Sequence, residues 1–546
     1  MATRKSALST DSYAAPGVDQ FGHTNSLDAH AGDMYRGKII ADRDGVLNHI
    51  DTGYSITPHN GIITFAFADA AHATGVYNNP HNGFTEQYGY TPFSDAQRGA
   101  ARLAIQSWDD LIAPTFKEVN GTGGADITYQ NTTTGPAQAW AYYPTDYDQP
   151  QLRHLESDVW TASPAVNSSN GNLFSGGYGL VTLEHETGHT LGLSHPGNYN
   201  GAGATTYLNQ AEYAQDSTQY SIMSYWDAYE TGASSIDWSV MRFTYASTPM
   251  VHDVMVIQEK YGADMTTRTG DTTYGFNATA DVTNPAMVFT LGERAAIFTI
   301  WDAAGNDTLN LSGYATASTI DLRPGSYSSA GGADHLQTLA EINANNAAAG
   351  FGPRSAFLYE VYFHGVAGVN GGQSWLNVTH STDFLMHNNI GIAYGATIEN
   401  AIGGGGNDVI GGNDVSNMLT GNGGNDILTG LLGNDSLFGG AGDDTLNGGA
   451  GADTLSGGAG NDNFVFTDLQ LGDIISDYGA GDHIDLTALY GGTMHFVGSA
   501  ALSALGDVNY VNGVISGNFA GDAGADFSAV LSGMPALQPD ALVLHG

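Results

Sequence analysis

Written in nines, residues 403–465 fall into phase: "GGGGNDVIG", "GNDVSNMLT", "GNGGNDILT", "GLLGNDSLF", "GGAGDDTLN", "GGAGADTLS", "GGAGNDNFV". The sixth position reads Asp408, Asn417, Asp426, Asp435, Asp444, Asp453 and Asp462. The eighth reads Ile410, Leu419, Leu428, Leu437, Leu446, Leu455 and Phe464. A period this short and this strict allows few folds. Each unit is one turn that cannot bury its apolar residue alone, so the turns must stack on one another.

The chemistry of each turn can be read directly. Glycine permits the positive φ that tight turns need. The sixth-position carboxylates and the turn carbonyls then face a hard cation, and the eighth residue fills the core. This is the calcium-binding nonapeptide pattern, which predicts a parallel β-helix or β-roll. Candidate calcium donors are the seven sixth-position residues, with Gly424, Gly433, Gly440, Gly442, Gly449, Gly451, Gly458 and Gly460 in the turns. A disordered Gly/Asn/Asp-rich linker would not keep an apolar residue at every eighth position. Two turns depart from the pattern, with Asn417 in place of Asp and Leu431–Leu432 in place of Gly-x, so weaker calcium binding is expected there.

Upstream, to about residue 262, the texture is that of an ordinary α+β or α/β domain with one mixed sheet. "SDAQRGAARLAIQSWDDLI" has helical spacing behind a Ser/Asp start. "ADITYQN" and "AQAWAYYP" alternate like strands. "YGLVTLEHETGHTLGL" reads as a second helix, stopped by Gly192. Residues 332–387 interrupt the repeat-rich half with a helical "HLQTLAEINANN" and an aromatic "SAFLYEVYFHGV".

That second helix carries a metal pattern. His185 and His189 are i and i+4, so both rings leave one face. Glu186 stands beside them, within reach of a water proton. Gly192 lets the chain turn away, and His195 returns as a third ligand, leaving a position open for water and substrate. The chain has no cysteine, so zinc here takes imidazole with oxygen donors. "YSIMSYW" follows, with Met223 28 residues after His195. The elongated motif calls for such a methionine turn beneath the ligands. Tyr225 is placed to reach the metal or a transition-state oxyanion.

Composition narrows the partners. The balance is 15 basic against 56 acidic residues, net −41. Phosphates are repelled, so nucleic acid is excluded as a partner, and cations are favoured. No 18-residue apolar run predicts a transmembrane helix, and residues 1–20 lack a secretory apolar core.

"HETGHTLGLSHPGNYN" with "SIMSYW", together with "SWDDLIAPTFKEV", "IQEKYGA", "TRTGDTTYGF", "WDAAGNDTLNLSGY" and "ATIENAIGGGGNDVI" in this order, resembles the serralysins, secreted bacterial proteases of the metzincin group. The resemblance implies an α+β metzincin-like zinc protease domain followed by an all-β parallel β-roll of RTX repeats. It implies one catalytic Zn2+ on His185, His189, His195 and a displaceable Tyr225, with Glu186 as base, and several structural Ca2+ ions. It places a calcium site ahead of the roll at Arg268, Gly270, Thr272, Asp302, Gly305 and Asp307, and adds Thr397 and Glu399 to Gly404, Gly406 and Asp408 at the first turn. "AQAWAYYP" becomes the edge that pairs with an extended substrate.

The expected organisation is an arm or short propeptide over 1–25, a catalytic domain over 26–262, and a calcium-binding roll over 263–546. That roll carries the insertion at about 332–387 and a C-terminal type I secretion signal at "PDALVLHG". The expected partners are polypeptide substrates, the type I ABC secretion machinery and a protein inhibitor, for an extracellular, secreted and monomeric endopeptidase. The rival reading is a calcium-binding surface module whose protease domain is vestigial.

Overall fold

The computed structural model describes residues 27–69, 86–121, 125–144, 157–199, 206–290, 292, 295–369, 373–379, 383–469, 471–521, 524–537 and 541–545. The proposed arm over 1–25, and Asp540 in the C-terminal signal, lie outside them. The chain divides into two compact units.

The first unit takes in residues to Ser235, then Thr244–Asp264 and Ile297–Thr299. Its centre is a mixed sheet in the order Thr115–Glu118, Ile62–Phe67, Ile127–Thr132, Asp158–Ala162, Ala139–Ala141, with Tyr90–Thr91 also paired to Ile127–Thr132. Strand Ala139–Ala141 runs antiparallel to Asp158–Ala162 and forms one edge. Helices α1 (Arg43–Ile50), α2 (Asp95–Asp109), α3 (Tyr178–Thr190), α4 (Tyr207–Gln210) and α5 (Val251–Tyr261) belong to the same unit.

The start of α2 is written locally. The Ser94 hydroxyl accepts from the Gln97 N–H, and the Gln97 side chain accepts from the Ser94 N–H. This reciprocal cap satisfies two of the free donors at a helix start. Ala100, Ala101, Ala104, Ile105 and Trp108 then form the buried face. The Trp108 indole donates to the Glu184 carbonyl at 3.1 Å, joining α2 to the metal-motif helix. That helix, α3, ends where Gly192 takes φ +92°, and a Cβ there would sit 2.0 Å from the Tyr54 carbonyl oxygen. Only glycine fits both demands.

The second unit is built on parallel strands. Successive turns place strands alternately in two sheets. Asn400–Ile402, Met418–Gly423, Ser436–Ala441 and Thr454–Ala459 lie side by side in one, and Val409–Asn413, Ile427–Leu432, Thr445–Ala450 and Asn463–Val465 in the other. Leu419, Leu437 and Leu455 stand in register in the first. Ile410, Leu428, Leu446 and Phe464 do so in the second. All seven are at most 1% exposed, so the eighth-position ladder is the core of the roll. The departures at Asn417 and Leu431 do not break the register. Leu431 keeps the left-handed backbone of its repeat, φ +80°, although its Cβ opposes it. The first sheet continues upstream to Thr308–Asn310 and Thr273–Phe276 and downstream through Leu471–Ile475.

The described residues between 332 and 387 leave the stacked strands of this unit through a narrow neck. Tyr327–Ser328 pairs antiparallel with Ile390–Ile392, and a bridge joins Gly332 to Leu385. Beyond the neck come α6 (Leu339–Ala348), α7 (Ala356–Phe363) and α8 (Trp375–Val378). Their apolar residues find a partner in the hairpin Ile236–Asp237/Arg242–Phe243 of the same unit, where Ile236, Trp238 and Met241 share one core with Ile342, Val361, Tyr362 and Phe363. Arg242 donates to Asn346 at 2.6 Å and covers the Phe351 ring at 4.5 Å, while Arg354 donates to the Met241 carbonyl at 2.6 Å. Among the described residues no helix is long and apolar enough to cross a membrane.

Trp238 meets Phe363, Tyr362 and Phe384 with ring centroids 5.3, 6.3 and 6.3 Å away. Replacing a buried tryptophan by alanine costs about 3–5 kcal/mol. Trp238→Ala is therefore expected to speed amide exchange across α6 and α7 while leaving the repeats protected. Exchange measured by mass spectrometry checks this; unchanged protection in α6 and α7 contradicts it.

Candidate functional site

Three imidazoles converge. His185 Nε2 lies 3.2 Å from His195 Nε2, and His189 Nε2 lies 3.1 Å from it. Among the described residues this is the group of three His, Asp or Glu side chains whose ligand atoms all fall within 4.8 Å. The other ring nitrogens identify the tautomer. His185 Nδ1 is 2.7 Å from the Ile222 carbonyl, and His189 Nδ1 is 2.7 Å from the Leu193 carbonyl. A carbonyl only accepts, so each Nδ1 donates and, in a neutral ring, each Nε2 is a bare lone pair. The Tyr199 backbone lies close enough to the His195 ring to favour its protonated form, against the larger effect of burial.

Burial keeps these rings neutral. It pushes His185 down to about 4 and His195 down to about 3, and His189 well below its usual value. Inward-facing lone pairs with no proton between them repel unless a cation sits among them. The donor set therefore fits a soft-to-borderline divalent metal.

Around the ligands the sequence fixes the approach. Met223 packs against the helix at Gly188, where a Cβ would lie 2.7 Å from its sulfur and 3.1 Å from Trp108. The turn that supplies Met223 is tied down by Asp253. Its carboxylate accepts from the Ser221 hydroxyl at 2.6 Å, the Ile222 N–H at 2.7 Å and the Met250 N–H at 2.9 Å. The Ile222 N–H thus donates to Asp253 while its carbonyl orients His185. Sequence reasoning missed Gly188, Ile222, Leu193 and Asp253. A small residue between the two histidines was the one local sign of the first.

Glu186 is buried, with one carboxylate oxygen making no hydrogen bond, and burial pushes its carboxyl up to about 8. Three phenols surround it closely enough to feel its charge: Tyr143, Tyr178 and Tyr225. The Tyr143 ring meets His189 edge-on at 5.4 Å. Tyr225 is 47% exposed, and its ring lies 4.4 Å from that of His195. Tyr143 and Tyr178 were not among the sequence candidates.

In the second unit, the first predicted calcium cluster is drawn together. Asp307 accepts from the Thr272 N–H at 2.7 Å, while its other oxygen is buried without a partner. Its own N–H donates to Glu399 at 2.7 Å. Gly305 lies against the Gly270 carbonyl so closely that a Cβ would be 2.4 Å from it. Asp302 accepts from the Tyr274 hydroxyl at 2.6 Å, and Arg268 donates to the Trp301 carbonyl at 2.6 Å. Thr272 also donates to Asp281, which the sequence did not flag. Thr397 lies two residues before Glu399 and is half-buried.

Along the roll, five of the sixth-position side chains each take one bond from the rung before. Asp426 accepts from the Asp408 N–H, Asp444 from Asp426, Asp462 from Asp444, Asp435 from Asn417 and Asp453 from Asp435, at 2.7–3.0 Å. The second oxygen of Asp426, Asp435, Asp444, Asp453 and Asp462 is buried with no partner. Two turns differ. The Asp408 second oxygen accepts from the Gly404 N–H at 2.6 Å. Asn417 accepts from Asn413 and donates to Asn413 and to the Glu399 carbonyl, so its amide leaves no oxygen unpaired.

Known proteins resemble this chain in sequence. Residues 263–360 match the family described as Peptidase M10 serralysin C terminal, and residues 402–437 and 429–464 match the RTX calcium-binding nonapeptide repeat. The chain is a relative of the serralysins. It is 36% identical over 335 residues to the Metalloprotease AprA of Pseudomonas entomophila (strain L48), which covers 60% of this chain and 56% of that one. Serralysin B of Dickeya chrysanthemi is 34% identical over 366 residues, 63% of this chain and 59% of its own. Serralysin of Proteus mirabilis is 33% identical over 395 residues, 70% of this chain and 65% of its own. The chain thus spans less than two thirds of the length of these serralysins.

Two measurements test the geometry of this serralysin relative. Gly188→Ala drives a methyl into Met223 and Trp108, and overpacking of this kind costs about 1–3 kcal/mol. A lowered melting temperature is the expected result, and an unchanged one contradicts the packing. The second concerns acid. Burial raises Asp426 and Asp435 to about 7 and Asp444 to about 6, from an ordinary 3.8. The folded roll then holds protons more tightly than the unfolded chain. Without a cation, its stability is full below the ordinary carboxylate range and is lost as pH rises towards 7. Denaturant titrations in chelator are expected to show a more stable roll at pH 5 than at pH 8, a difference that calcium removes.

Proposed function

We propose that this chain is a secreted zinc-dependent endopeptidase stabilised by calcium, with a metzincin-like catalytic domain over about 26–262 and a calcium-binding roll over about 263–546. The observation that carries the reading is the convergence of three imidazole Nε2 atoms beside the buried carboxylate of Glu186. His185, His189 and His195 would hold the ion, with Tyr225 as a further, displaceable donor. Zinc bound there supplies a Lewis acid that polarises the scissile carbonyl and acidifies water.

The chain's own groups do the rest. Glu186 takes the proton of the attacking water and delivers it to the leaving nitrogen. Its poor solvation favours the protonated state that the second half of this cycle requires. The Tyr225 phenol donates to the oxyanion as charge develops on the substrate oxygen. An extended polypeptide adds as a strand along Ala139–Ala141, the sheet edge that leads to Tyr143 and the histidines.

In the roll, the unpaired oxygens of Asp426, Asp435, Asp444, Asp453 and Asp462 are the acceptors that calcium would satisfy, with turn carbonyls completing each site. The cluster of Asp302, Asp307 and Glu399 plays the same part ahead of the repeats. Calcium at extracellular levels, about 10⁻³ M, suits modules of this kind, and binding energy there contributes directly to folding. Export through a type I ABC machinery fits a roll that needs calcium to fold, since the chain stays threadable inside the cell.

Glu186→Ala removes no metal ligand. The variant is expected to keep one zinc per chain, by metal analysis, and to lose about 10²–10⁴-fold in casein turnover. Near-normal turnover in this variant, or no chelator-sensitive cleavage by the unmodified protein, contradicts the reading.

A further inference from the structure

Far from the metal motif in sequence, the segment beginning at Leu27 ends in a fully enclosed polar knot. Asp28 is 4% exposed. One of its carboxylate oxygens accepts from the Gln215 amide at 2.8 Å, and the His252 Nε2–H lies 3.1 and 3.0 Å from the two oxygens. Gln215 and His252 are both wholly buried. Gln215 also accepts from the Ala41 N–H and donates to the Ala41 carbonyl, so one amide grips both ends of the segment from Asp28 to Ala41. The Leu27 N–H donates to the Tyr220 hydroxyl at 2.7 Å, and the Tyr220 ring lies 5.0 Å from that of His252.

The two partners of Asp28 are each followed by a buried aspartate that faces the site. After Gln215 comes Asp216, which accepts from the Tyr199 hydroxyl and the Ser224 hydroxyl, each at 2.7 Å. Tyr199 stacks on His195 at 5.8 Å and meets Tyr225 at 5.1 Å. After His252 comes Asp253, which holds Ser221 and Ile222, and Ile222 orients His185. Adjacent residues point in different directions, so each dipeptide reaches the N-terminal segment with one side chain and the metal site with the next.

We propose that Asp28 is a positioning residue for the metal site, its carboxylate fixing Gln215 and His252 and through them the placement of Asp216 and Asp253 behind His195, Tyr225 and His185. The proposal rests on the reading of that site as catalytic. Outer partners of metal-bound imidazoles commonly tune affinity and activity by 10–100-fold. Asp28 stands further out, behind the turns that carry such partners, and a single anion there sets both turns at once. Breaking it shifts the ligands while leaving every one of them in place.

The test uses the full-length protein carrying Asp28→Asn, which keeps the shape and removes the charge, with Asp28→Ala beside it as the more disruptive change. Zinc content, kcat and KM are measured on the folded fraction, and the visible absorption spectrum is recorded after cobalt(II) replaces zinc. The expected result for Asp28→Asn is a kcat per bound zinc lower by roughly 10-fold with KM little changed, and a cobalt spectrum displaced from that of the parent. A melting temperature that falls while kcat per zinc and the cobalt spectrum stay at parental values overturns the proposal, because a merely structural role predicts that outcome. The spectrum needs no turnover. If the parent binds metal but cleaves nothing and Asp28→Asn still displaces the spectrum, the protease reading fails and the wiring stands. If the parent cleaves peptides and Asp28→Asn matches it in kcat and spectrum, the wiring fails and the protease reading stands.

Discussion

Buried acceptors that lack donors govern both halves of this protein. Three imidazole lone pairs face each other in one unit, and at least five carboxylate oxygens stand alone in the other. Leaving a carboxylate charged, buried and unpaired costs several kcal/mol, a large share of a domain's net stability. With 56 acidic and 15 basic residues, the chain does not carry enough positive charge of its own to answer them. Both groups are of the kind that cations from solution would satisfy. One group of acceptors is borderline nitrogen in a triangle and the other is hard oxygen on stacked turns, so the two suit different ions.

The hydrogen bonds behind the ligands decide how well the first group works. A free imidazole chooses between two tautomers; here backbone carbonyls at Ile222 and Leu193 remove the choice. Those carbonyls are only as fixed as the turns that bear them. Asp253, with three donors on one carboxylate, makes the methionine turn rigid in a way that the packing of Met223 alone would not. The order of dependence runs from buried carboxylate to turn, from turn to ring, and from ring to metal.

What the sequence disclosed was whatever repeats or lies close along the chain. The ladder from Ile410 to Phe464 was legible because period nine leaves one apolar residue per turn, and the roll buries all seven. The cap at Ser94 and the stop at Gly192 were legible because their causes lie within a few residues. Partners separated by long stretches left no trace. Asp28 meets Gln215 187 residues later and His252 224 residues later, and no local pattern joins them. The aromatic segment around Phe363 was visibly apolar, yet nothing nearby named Trp238 as its partner. At Leu431 the sequence broke its own rule, and the neighbouring rungs imposed the backbone conformation that the side chain resists, at a cost of order 1–3 kcal/mol.

The neck at residues 332 and 385 carries a consequence for how such a chain changes over generations. Its two sides are bridged like adjacent strands, so the ends of the excursion lie about 5 Å apart, a gap that an ordinary hairpin turn spans. Material of any length can be gained or lost there without disturbing the stacking on either side. The freedom has one limit. Once α6 and α7 have settled over Ile236, Trp238 and Met241, deleting them strips an apolar surface bare, and such a patch invites association between molecules. Residues held at this doorway are thereby tied to the hairpin they shelter, and the two can change only together.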